Sequence, residues 1–320
     1  MKKTVYGGFI TLAVALAAME AAQAQYPTRT IRWIVPFAAG SGTDTVARFI
    51  QPQLAAALGQ QVVIDNRPGA AGNLGAELAS KAPPDGYTLL MGNISQSISM
   101  TLYSRPGFDI LKDFAPVTSL AHGSFTLAAH PSLPAKSVKE LIVFARKRPG
   151  EVNVATAGSA LRLAAKMLDS MAGIRTTEIN YKSTPQAITA VVSGETSVGF
   201  PATSSAMPYA RSGKLRALAV TTPKRSSMAP DVPTVAESGV PGYDVTTWYG
   251  LLVPAATSKE IIARLNGAVV NTLTNPAVKK LFAQTDLEPN YSTPEQFGAY
   301  IRSEVAKWAK VIKESGITVE

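Results

Sequence analysis

Short apolar segments alternate with amphipathic segments along most of this chain, and this alternation constrains the fold more than any other feature. The apolar segments have strand length, are rich in branched residues and are bounded by glycine or proline: Ile31–Val35, Val62–Ile64, Tyr87–Met91 and Leu215–Val220. The segments between them have helical periodicity: Thr43–Leu58, Leu74–Lys81, Ser137–Lys147, Leu161–Met171 and Thr184–Val192. Because strand–helix alternation is typical of parallel sheets covered on both faces, we predict an α/β fold with mostly parallel sheets.

The C-terminal third, from Ser258 onward, is predicted to be mostly helical. Capping-box patterns mark helix starts at Ser137–Glu140, Thr257–Glu260 and Thr293–Gln296, the last with proline at the first helical position. After Thr293 the apolar residues recur in one stripe, formed by Phe297, Ile301, Val305, Trp308 and Ile312. We therefore expect a long amphipathic helix that covers one of the sheets.

Two extended stretches, Ala115–Ala129 and Val245–Pro254, look able to cross between two lobes. If they do, one domain is inserted in the other. We predict a discontinuous domain 1 of residues 25–123 and 249–320, and an inserted domain 2 of residues 124–248. A ligand cleft would then lie between two sheets, at the carboxyl ends of their strands.

The first 24 residues have the pattern of a secretory signal peptide. Lys2 and Lys3 precede the apolar segment Val5–Ala18, which is short for a membrane span, and Ala22–Ala24 supplies a small-residue cleavage site. No basic cluster follows to favour a membrane anchor, and no cysteine is present for lipid attachment. We predict cleavage after Ala24 and a free protein in the periplasm.

The composition excludes several classes of protein. The 320 residues include no cysteine and only two histidines, which excludes a disulfide framework, a thiolate nucleophile and zinc sites with cysteine ligands. With 46% hydrophobic and 17% charged residues, the chain is not of the disordered class. We expect no metal and no cofactor.

The formal charge of +9 does not point to nucleic acid. The basic clusters Arg146–Arg148 and Lys224–Arg225 are short, separate and without neighbouring aromatic residues, so they are interpreted as solvated faces. Cleavage of the signal peptide would remove Lys2, Lys3 and Glu20, which lowers the charge from +9 to +8. No nucleic-acid partner is expected.

Glycine-rich turns join strands to helices at several places. Gly40, Ser41 and Gly42 expose backbone N–H groups at a helix start, which suits either an anion or a purely structural turn. The turn matches neither a Walker loop nor the G-x-G-x-x-G pattern, and Asp44 is interpreted as a first-turn residue that complements the helix dipole. The run Asn66–Gly75 favours tight turns and close helix packing.

A third turn, Ala155–Ser159, precedes a helix whose first turn would hold Arg162. A guanidinium there is placed either to grip a carboxylate or simply to face solvent.

Catalytic patterns are scarce. The spacing of His122 and His130 puts both on one face of a strand. The sequence contains no G-x-S-x-G motif and no paired carboxylates at helical spacing beside a histidine. Catalysis by either histidine is therefore disfavoured.

Motifs spread over the whole chain after the predicted signal peptide resemble one known family. In order, they are Tyr26–Pro27, Pro36–Phe37 with Gly40–Asp44, Asn66–Gly69, Pro84–Thr88, Lys112–Phe114, Tyr181–Lys182, Gly213–Val220, Asp231–Thr234, Trp248–Gly250 and Trp308. Their order and spacing resemble the substrate-binding proteins of tripartite tricarboxylate transporters, also called Bug receptors. The resemblance implies a type II periplasmic binding protein fold, with two α/β lobes that close over a ligand.

The resemblance also implies the ligand class and the residues that meet it. Family members take small carboxylates: citrate-like acids, acidic amino acids and, in some cases, aromatic acids such as terephthalate. They hold a carboxylate largely through backbone N–H groups, hydroxyls and ordered water. Carried over position by position, the expected ligand-binding residues are Phe37, Ala38, Ala39, Gly40, Ser41, Thr43, Asn93, Ser95, Ala155, Thr156, Ala157, Gly158, Ser159, Arg162, Phe200, Pro201, Ala202 and Thr203.

Some of these positions depart from the family's pattern. Ser41 replaces the middle glycine of the first turn, and Arg162 occupies a place commonly held by histidine. In the second lobe, Pro201 and Ala202 replace a polar pair such as Asp-Asn, and acidic or apolar family residues are replaced at Ala190, Thr196 and Ser197. The changes remove negative charge and amides from the second-lobe wall and bring in a cation. We therefore expect a ligand with a second carboxylate that pairs with Arg162, and not an amino acid.

The implied function is capture of a small di- or tricarboxylate, aliphatic or aromatic, and its delivery to the membrane subunits of a tripartite tricarboxylate transporter. We expect a monomer that is not an enzyme. The alternative is an exported hydrolase that acts on a small carboxylate or ester in the same cleft, for which the sequence offers no evident base and nucleophile.

Overall fold

Two β-sheets organise the chain in a computed structural model that describes residues 26–317. The strands are β1 (Ile31–Val35), β2 (Val62–Asn66), β3 (Thr88–Asn93), β4 (Phe114–Ser124), β5 (Thr126–Ala129), β6 (Asn153–Thr156), β7 (Thr177–Asn180), β8 (Val198–Gly199), β9 (Arg216–Val220), β10 (Thr246–Pro254) and β11 (Leu287–Pro289). The strand predicted at Ile31–Val35 has the predicted bounds, and the other predicted strands differ by one or two residues at their ends.

The helices follow the predicted alternation. They are α1 (Gly42–Leu58), α2 (Asn73–Ser80), α3 (Ile94–Leu102), α4 (Val138–Lys147), α5 (Gly158–Ala172), α6 (Thr184–Ser193), α7 (Thr203–Arg211), α8 (Lys259–Thr274), α9 (Pro276–Phe282) and α10 (Pro294–Ser315), with a 3₁₀ turn at Ala70–Gly72. The prediction that the chain from Ser258 onward is mostly helical is confirmed by α8, α9 and α10.

The sheets are mixed, and the expectation of mostly parallel sheets is wrong. The six-stranded sheet has the order β11-β4-β10-β3-β1-β2, and the five-stranded sheet has the order β7-β6-β8-β5-β9. Strand β1 is parallel to β2 and β3, and β6 is parallel to β7 and β8. The other pairs are antiparallel. The physical reason is that β4 and β10 lie within the six-stranded sheet and pair antiparallel with each other. The helical crossover that makes neighbouring strands parallel does not join them.

The two predicted extended stretches are the strands that connect the sheets. The chain leaves the six-stranded sheet at the end of β4 and enters the five-stranded sheet at β5, with only Phe125 between them. Strand β10 brings the chain back and pairs with β4 over its whole length. The domain boundaries at residues 123, 124, 248 and 249 stay a prediction.

A continuous hydrophobic core joins the two sheets through three helices. Helix α10 packs against α3 and α5. Of its predicted stripe, Phe297, Ile301, Trp308 and Ile312 are buried and Val305 is half-buried. A second cluster, on the other face of the six-stranded sheet, packs α1 and α8 on residues such as Trp33. The six-stranded sheet is therefore covered on both faces.

Helix caps confirm most of the predicted starts. Thr293 and Gln296 form a reciprocal capping box at α10, and the Ser137 hydroxyl caps α4 by accepting the N–H of Glu140. The predicted cap at Thr257 is wrong by one residue, because Ser258 caps α8 while the Thr257 hydroxyl donates to the Pro254 carbonyl.

No helix within residues 26–317 is both long and apolar enough to cross a membrane. The predicted signal peptide, residues 1–24, lies outside the described residues.

We expect Gly250→Ala to destabilise the protein by about 1–3 kcal/mol, because the added Cβ in β10 would overlap the ring of Phe297 in α10. The free energy of unfolding in urea measures this change. The control is Gly267→Ala in α8, where nothing lies within 4 Å of the added Cβ. It should gain roughly 0.5–1 kcal/mol from helix propensity. Equal stability of the two variants would contradict this packing.

Candidate functional site

The first candidate group is the turn between β1 and α1. Ser41 is the N-cap of α1, and its hydroxyl accepts the N–H of Asp44 at 3.2 Å. Among residues 26–317, no acceptor bonds to the N–H of Gly42 or Thr43 in the first turn. Free N–H groups at a helix start carry partial positive charge, so this turn can accept an anion.

The carboxylate of Asp44 holds this turn in shape. Asp44 is 1% exposed and accepts the N–H of Gly40 at 2.9 Å, the Asn66 amide at 2.9 Å and the Arg48 Nε at 2.7 Å. Burial alone would raise the pKa of Asp44, but these hydrogen bonds outweigh it and the pKa lies below its usual value. Asp44 lies in the first turn of α1, as the sequence predicts. The Gly40 N–H, predicted to meet a ligand, is already used by Asp44.

Polar side chains of β3 and α3 lie beside the turn. Asn93 donates to the Thr43 hydroxyl at 3.1 Å, and its own amide oxygen accepts the N–H of Ser95 at 2.9 Å. Asn93 also forms a reciprocal capping box with Gln96 at the start of α3. The structure thus brings together Thr43, Asn93 and Ser95, three of the residues predicted to bind the ligand. Gln96 was missed, although the Asn-x-x-Gln pattern is visible in the sequence.

Two further residues complete the surroundings of the turn. The Phe37 ring lies against Gly72, where a Cβ would be 3.0 Å from the ring and where φ is +93°. Tyr249 of β10 lies opposite Asn93 in the strand register, and its hydroxyl would be 2.9 Å from a Cβ on Gly42. Tyr249 belongs to the Trp248–Gly250 motif but was not predicted as a site residue. Ala38 and Ala39, which were predicted, are exposed.

The second candidate group lies at the end of β6 and the start of α5. The N-cap of α5 is Ala157, which offers no side-chain acceptor to the first-turn N–H groups of Gly158 and Ser159. Arg162 Nε pairs with Glu178 Oε1 at 2.6 Å, and the same oxygen accepts the Thr156 hydroxyl at 2.9 Å. Within the described part of the chain, the two Nη groups of Arg162 have no hydrogen-bond partner.

Glu178 was missed because it lies on β7, and only the pairing of β6 with β7 places it beside Thr156 and Arg162. The Glu178 carboxylate therefore partly neutralises the positive charge that Arg162 brings to the second lobe. The fixed Nε edge also holds the guanidinium in place, so that its Nη edge is left for another acceptor.

The third candidate group, at the start of α7, is largely internal. Phe200 is 1% exposed, and the Thr203 hydroxyl is buried among Ser124 and Thr126, at 2.7 and 3.0 Å from their hydroxyls. Ala155, Phe200 and Pro201 line a small apolar space of about 10 Å³ against α6. Of this group only Ala202 is half-buried. The side chains of Phe200, Pro201 and Thr203 therefore face the interior.

No hydrogen bond or ion pair within residues 26–317 joins the turn of α1 to the start of α5. A cavity of about 460 Å³ lies elsewhere, on β4, β10 and β11, and none of the predicted ligand residues lines it.

The histidines do not share a strand face, so that prediction is wrong. His122 lies in β4 of the six-stranded sheet, 3.4 Å from Glu288, whereas His130 follows β5 of the five-stranded sheet and contacts Ser132. The chain changes sheets at Phe125, which breaks the alternation between them. Within the described residues, no group of three or more His, Asp or Glu side chains could hold a metal ion.

A family model described as "Tripartite tricarboxylate transporter family receptor" matches residues 46–317. The chain belongs to this family. BugT of Bordetella pertussis is 34% identical to this receptor over 316 residues, which cover 98% of this chain and 96% of BugT.

Solved structures share the fold of the receptor. A protein of R. palustris solved with adipate is 34% identical, with a TM-score of 0.79 over 92% of this chain and 99% of its own. MatC from Rhodopseudomonas palustris with bound malate is 31% identical, with a TM-score of 0.75 over 90% of this chain and all of its own (100%). The periplasmic binding protein BugD is also 31% identical, with a TM-score of 0.76 over 92% of this chain and 100% of its own. The predicted family and the periplasmic binding protein fold are confirmed.

We expect Asp44→Asn to lower the free energy of unfolding at pH 7 by about 1–3 kcal/mol, because the turn loses its charged acceptor. The folded-state pKa of Asp44 is lowered, so its contribution is present above the unfolded pKa of about 3.9. It is lost as the pH falls through the folded-state pKa. Urea unfolding at pH 7 and in acid measures the difference, which should shrink in acid.

The control is Asp85→Asn, which breaks the exposed pair with Arg29. It should change the free energy of unfolding by less than about 1 kcal/mol. A difference between Asp44→Asn and the unmodified protein that stays constant with pH would contradict the role assigned to Asp44.

Proposed function

We propose that this receptor captures a small dicarboxylate or tricarboxylate in the periplasm and delivers it to the membrane subunits of a tripartite tricarboxylate transporter. The observation that supports it best is the pair of free N–H groups of Gly42 and Thr43 at the start of α1. Neutral donors of this kind bind a carboxylate without a buried counter-ion.

One carboxylate of the ligand is proposed to lie at the α1 turn. The helix has several turns behind its first N–H groups, so its dipole favours an anion there. The Tyr249 hydroxyl, close to Gly42, adds a donor that is already placed by the β10–β3 register. Phe37 beside Gly72 provides an apolar wall for the carbon skeleton.

The distal carboxylate is proposed to meet Arg162. Glu178 holds the Nε of this side chain, and the Nη groups have no partner in the described residues. A guanidinium fixed on one edge and open on another suits bidentate pairing with a carboxylate. Support for a ligand with two carboxylates also comes from two relatives, which were solved with adipate and with malate.

Closure of the cleft is proposed to bend the chain where β4 passes into β5 and where β10 begins. These crossings fit the predicted boundaries of domain 1, residues 25–123 and 249–320, and domain 2, residues 124–248. The two groups of candidate residues belong to different sheets, so closure would bring them onto one ligand.

The proposed periplasmic location of the receptor rests on the sequence of the first 24 residues. We propose that these residues are removed as a signal peptide by cleavage after Ala24. The mature receptor is proposed to act as a monomer without a cofactor or a metal ion.

Mass spectrometry of the ligand released from gently purified protein tests the function. The expected result is a di- or tricarboxylic acid, and the same acid should raise the melting temperature and be recovered unchanged after incubation. Recovery of a hydrolysed product would favour the exported hydrolase instead. A panel of aliphatic and aromatic dicarboxylates, with malate, adipate and terephthalate among them, decides the ligand class.

We expect Arg162→Ala to weaken binding of the best dicarboxylate about tenfold or more, because one charged hydrogen-bond pair is lost. Binding of the matching monocarboxylate should be almost unchanged. Isothermal titration calorimetry with both ligands measures the two losses. The matched control is Arg175→Ala, which removes an exposed arginine from the same sheet region. Equal losses for the two ligands would remove Arg162 from the site.

A further inference from the structure

We propose that the cavity on β4, β10 and β11 is a second binding site, separate from the carboxylate site, for a small amine with an aromatic or other apolar body. The cavity, called here the β4–β10–β11 cavity, has a volume of about 460 Å³. Nothing in the proposed carboxylate site uses it, since none of those residues lines it.

The strand register builds the floor of the cavity. Glu288 of β11 pairs with His122 of β4, and His122 pairs in turn with Trp248 of β10. Cross-strand neighbours point to the same face of a sheet, so these three side chains form one row. Ser124 and Thr246 form the next row and also line the cavity. The site is therefore built by regular strand pairing.

Aromatic side chains form one wall. Trp248 is 2% exposed, and its ring meets Phe297 and Tyr300 edge to face, with centroids 5.7 and 6.0 Å apart. This wall can cover an apolar body and can attract a cation through ring faces. The indole N–H of Trp248 is buried and has no acceptor among residues 26–317. A polar ligand atom or a water molecule that reaches it would satisfy this donor.

The charge of the ligand follows from Asp286. This residue is 9% exposed and lines the cavity, yet no donor or cation in the described chain bonds to its carboxylate. A carboxylate that opens on a cavity and has no cation bonded to it attracts a positive charge, and an ammonium group is its natural complement. A cavity lined by this unpartnered carboxylate and by an aromatic wall therefore favours an amine over an acid.

The other charged groups around the cavity already have partners, with one exception. Arg225 pairs with Glu237 at 3.0 Å, and Asp244 lies 3.6 Å from Lys307. Glu288 accepts the N–H of Ser227 at 3.2 Å and lies 3.4 Å from His122.

The exception is Lys224, which lines the cavity and has no ion-pair partner among the described residues. Its ammonium group opposes a cationic ligand, so Lys224→Ala should not weaken binding of an amine.

Titration calorimetry of the full protein with 2-phenylethylamine tests the proposal. We expect saturable one-to-one binding, and binding at least tenfold weaker for 2-phenylethanol, which has the same body without the charge. Asp286→Asn should weaken binding of the amine at least tenfold. The matched control, Asp231→Asn, removes an exposed carboxylate and should have no effect. The tryptophan fluorescence of the protein should change on binding, because Trp248 lines the cavity.

Tyr300→Leu is the second variant and keeps the test independent of how well Asp286→Asn folds. The Tyr300→Leu substitution should weaken binding of the amine several-fold. The melting temperature of the ligand-free variant shows whether it folds. The proposal is overturned if the amine does not saturate, if the alcohol binds equally well, or if neither variant weakens binding. The amine test does not involve dicarboxylates, so its result stands whether or not the proposed function holds.

Discussion

The antiparallel pairing of β4 with β10 is the interaction on which the rest of the structure depends. These two strands lie within the six-stranded sheet, and they also take the chain to the five-stranded sheet and back. At the point where β4 ends, the hydroxyls of Ser124 and Thr126 each bond to the hydroxyl of Thr203 inside the protein. This buried polar cluster ties the start of α7 to the crossing, so the relative position of the two sheets is set by strand pairing and hydroxyl contacts together.

The same pairing places residues of both proposed sites. Tyr249 points to one face of β10 and comes close to the turn at Gly42, whereas Trp248 points to the other face and lines the β4–β10–β11 cavity. Successive residues of a strand face opposite sides of its sheet, so one strand serves two sites of different chemistry. The α1 turn and the β4–β10–β11 cavity therefore lie on opposite faces of the six-stranded sheet.

In the proposed carboxylate site, the charged side chains are paired with one another, so that neutral donors would select the anion. Asp44 is neutralised by Arg48, and Arg162 is partly neutralised by Glu178, although the whole chain carries a formal charge of +9. The general positive charge can draw anions to the protein. Discrimination between ligands would then rest on the direction of the hydrogen bonds at α1 and on the geometry of the Arg162 guanidinium. These groups bind a ligand tightly only when its oxygens are correctly placed.

Local chemistry explains how much of the fold and of the candidate site could be predicted. The strand Ile31–Val35, the cap at Thr293 and the apolar stripe of α10 depend on residues close together in the chain, and they were predicted well. Mixed sheet direction, the separation of His122 from His130, and the approach of Glu178 to Arg162 depend on residues that are distant in the chain or on a change of sheet. Periodicity holds no information about those contacts.

The sequence by itself determined the family, the alternation of strands and helices, and which turns offer backbone N–H groups, since each of these is encoded in short motifs and their order. Only the tertiary structure decided which of those groups are still available. It assigns the Gly40 N–H to Asp44, buries the Thr203 hydroxyl, and leaves Gly42, Thr43 and the Nη edge of Arg162 without partners in the described residues. The reason is that a hydrogen-bond donor can bind a ligand only if the fold has not already brought it an acceptor.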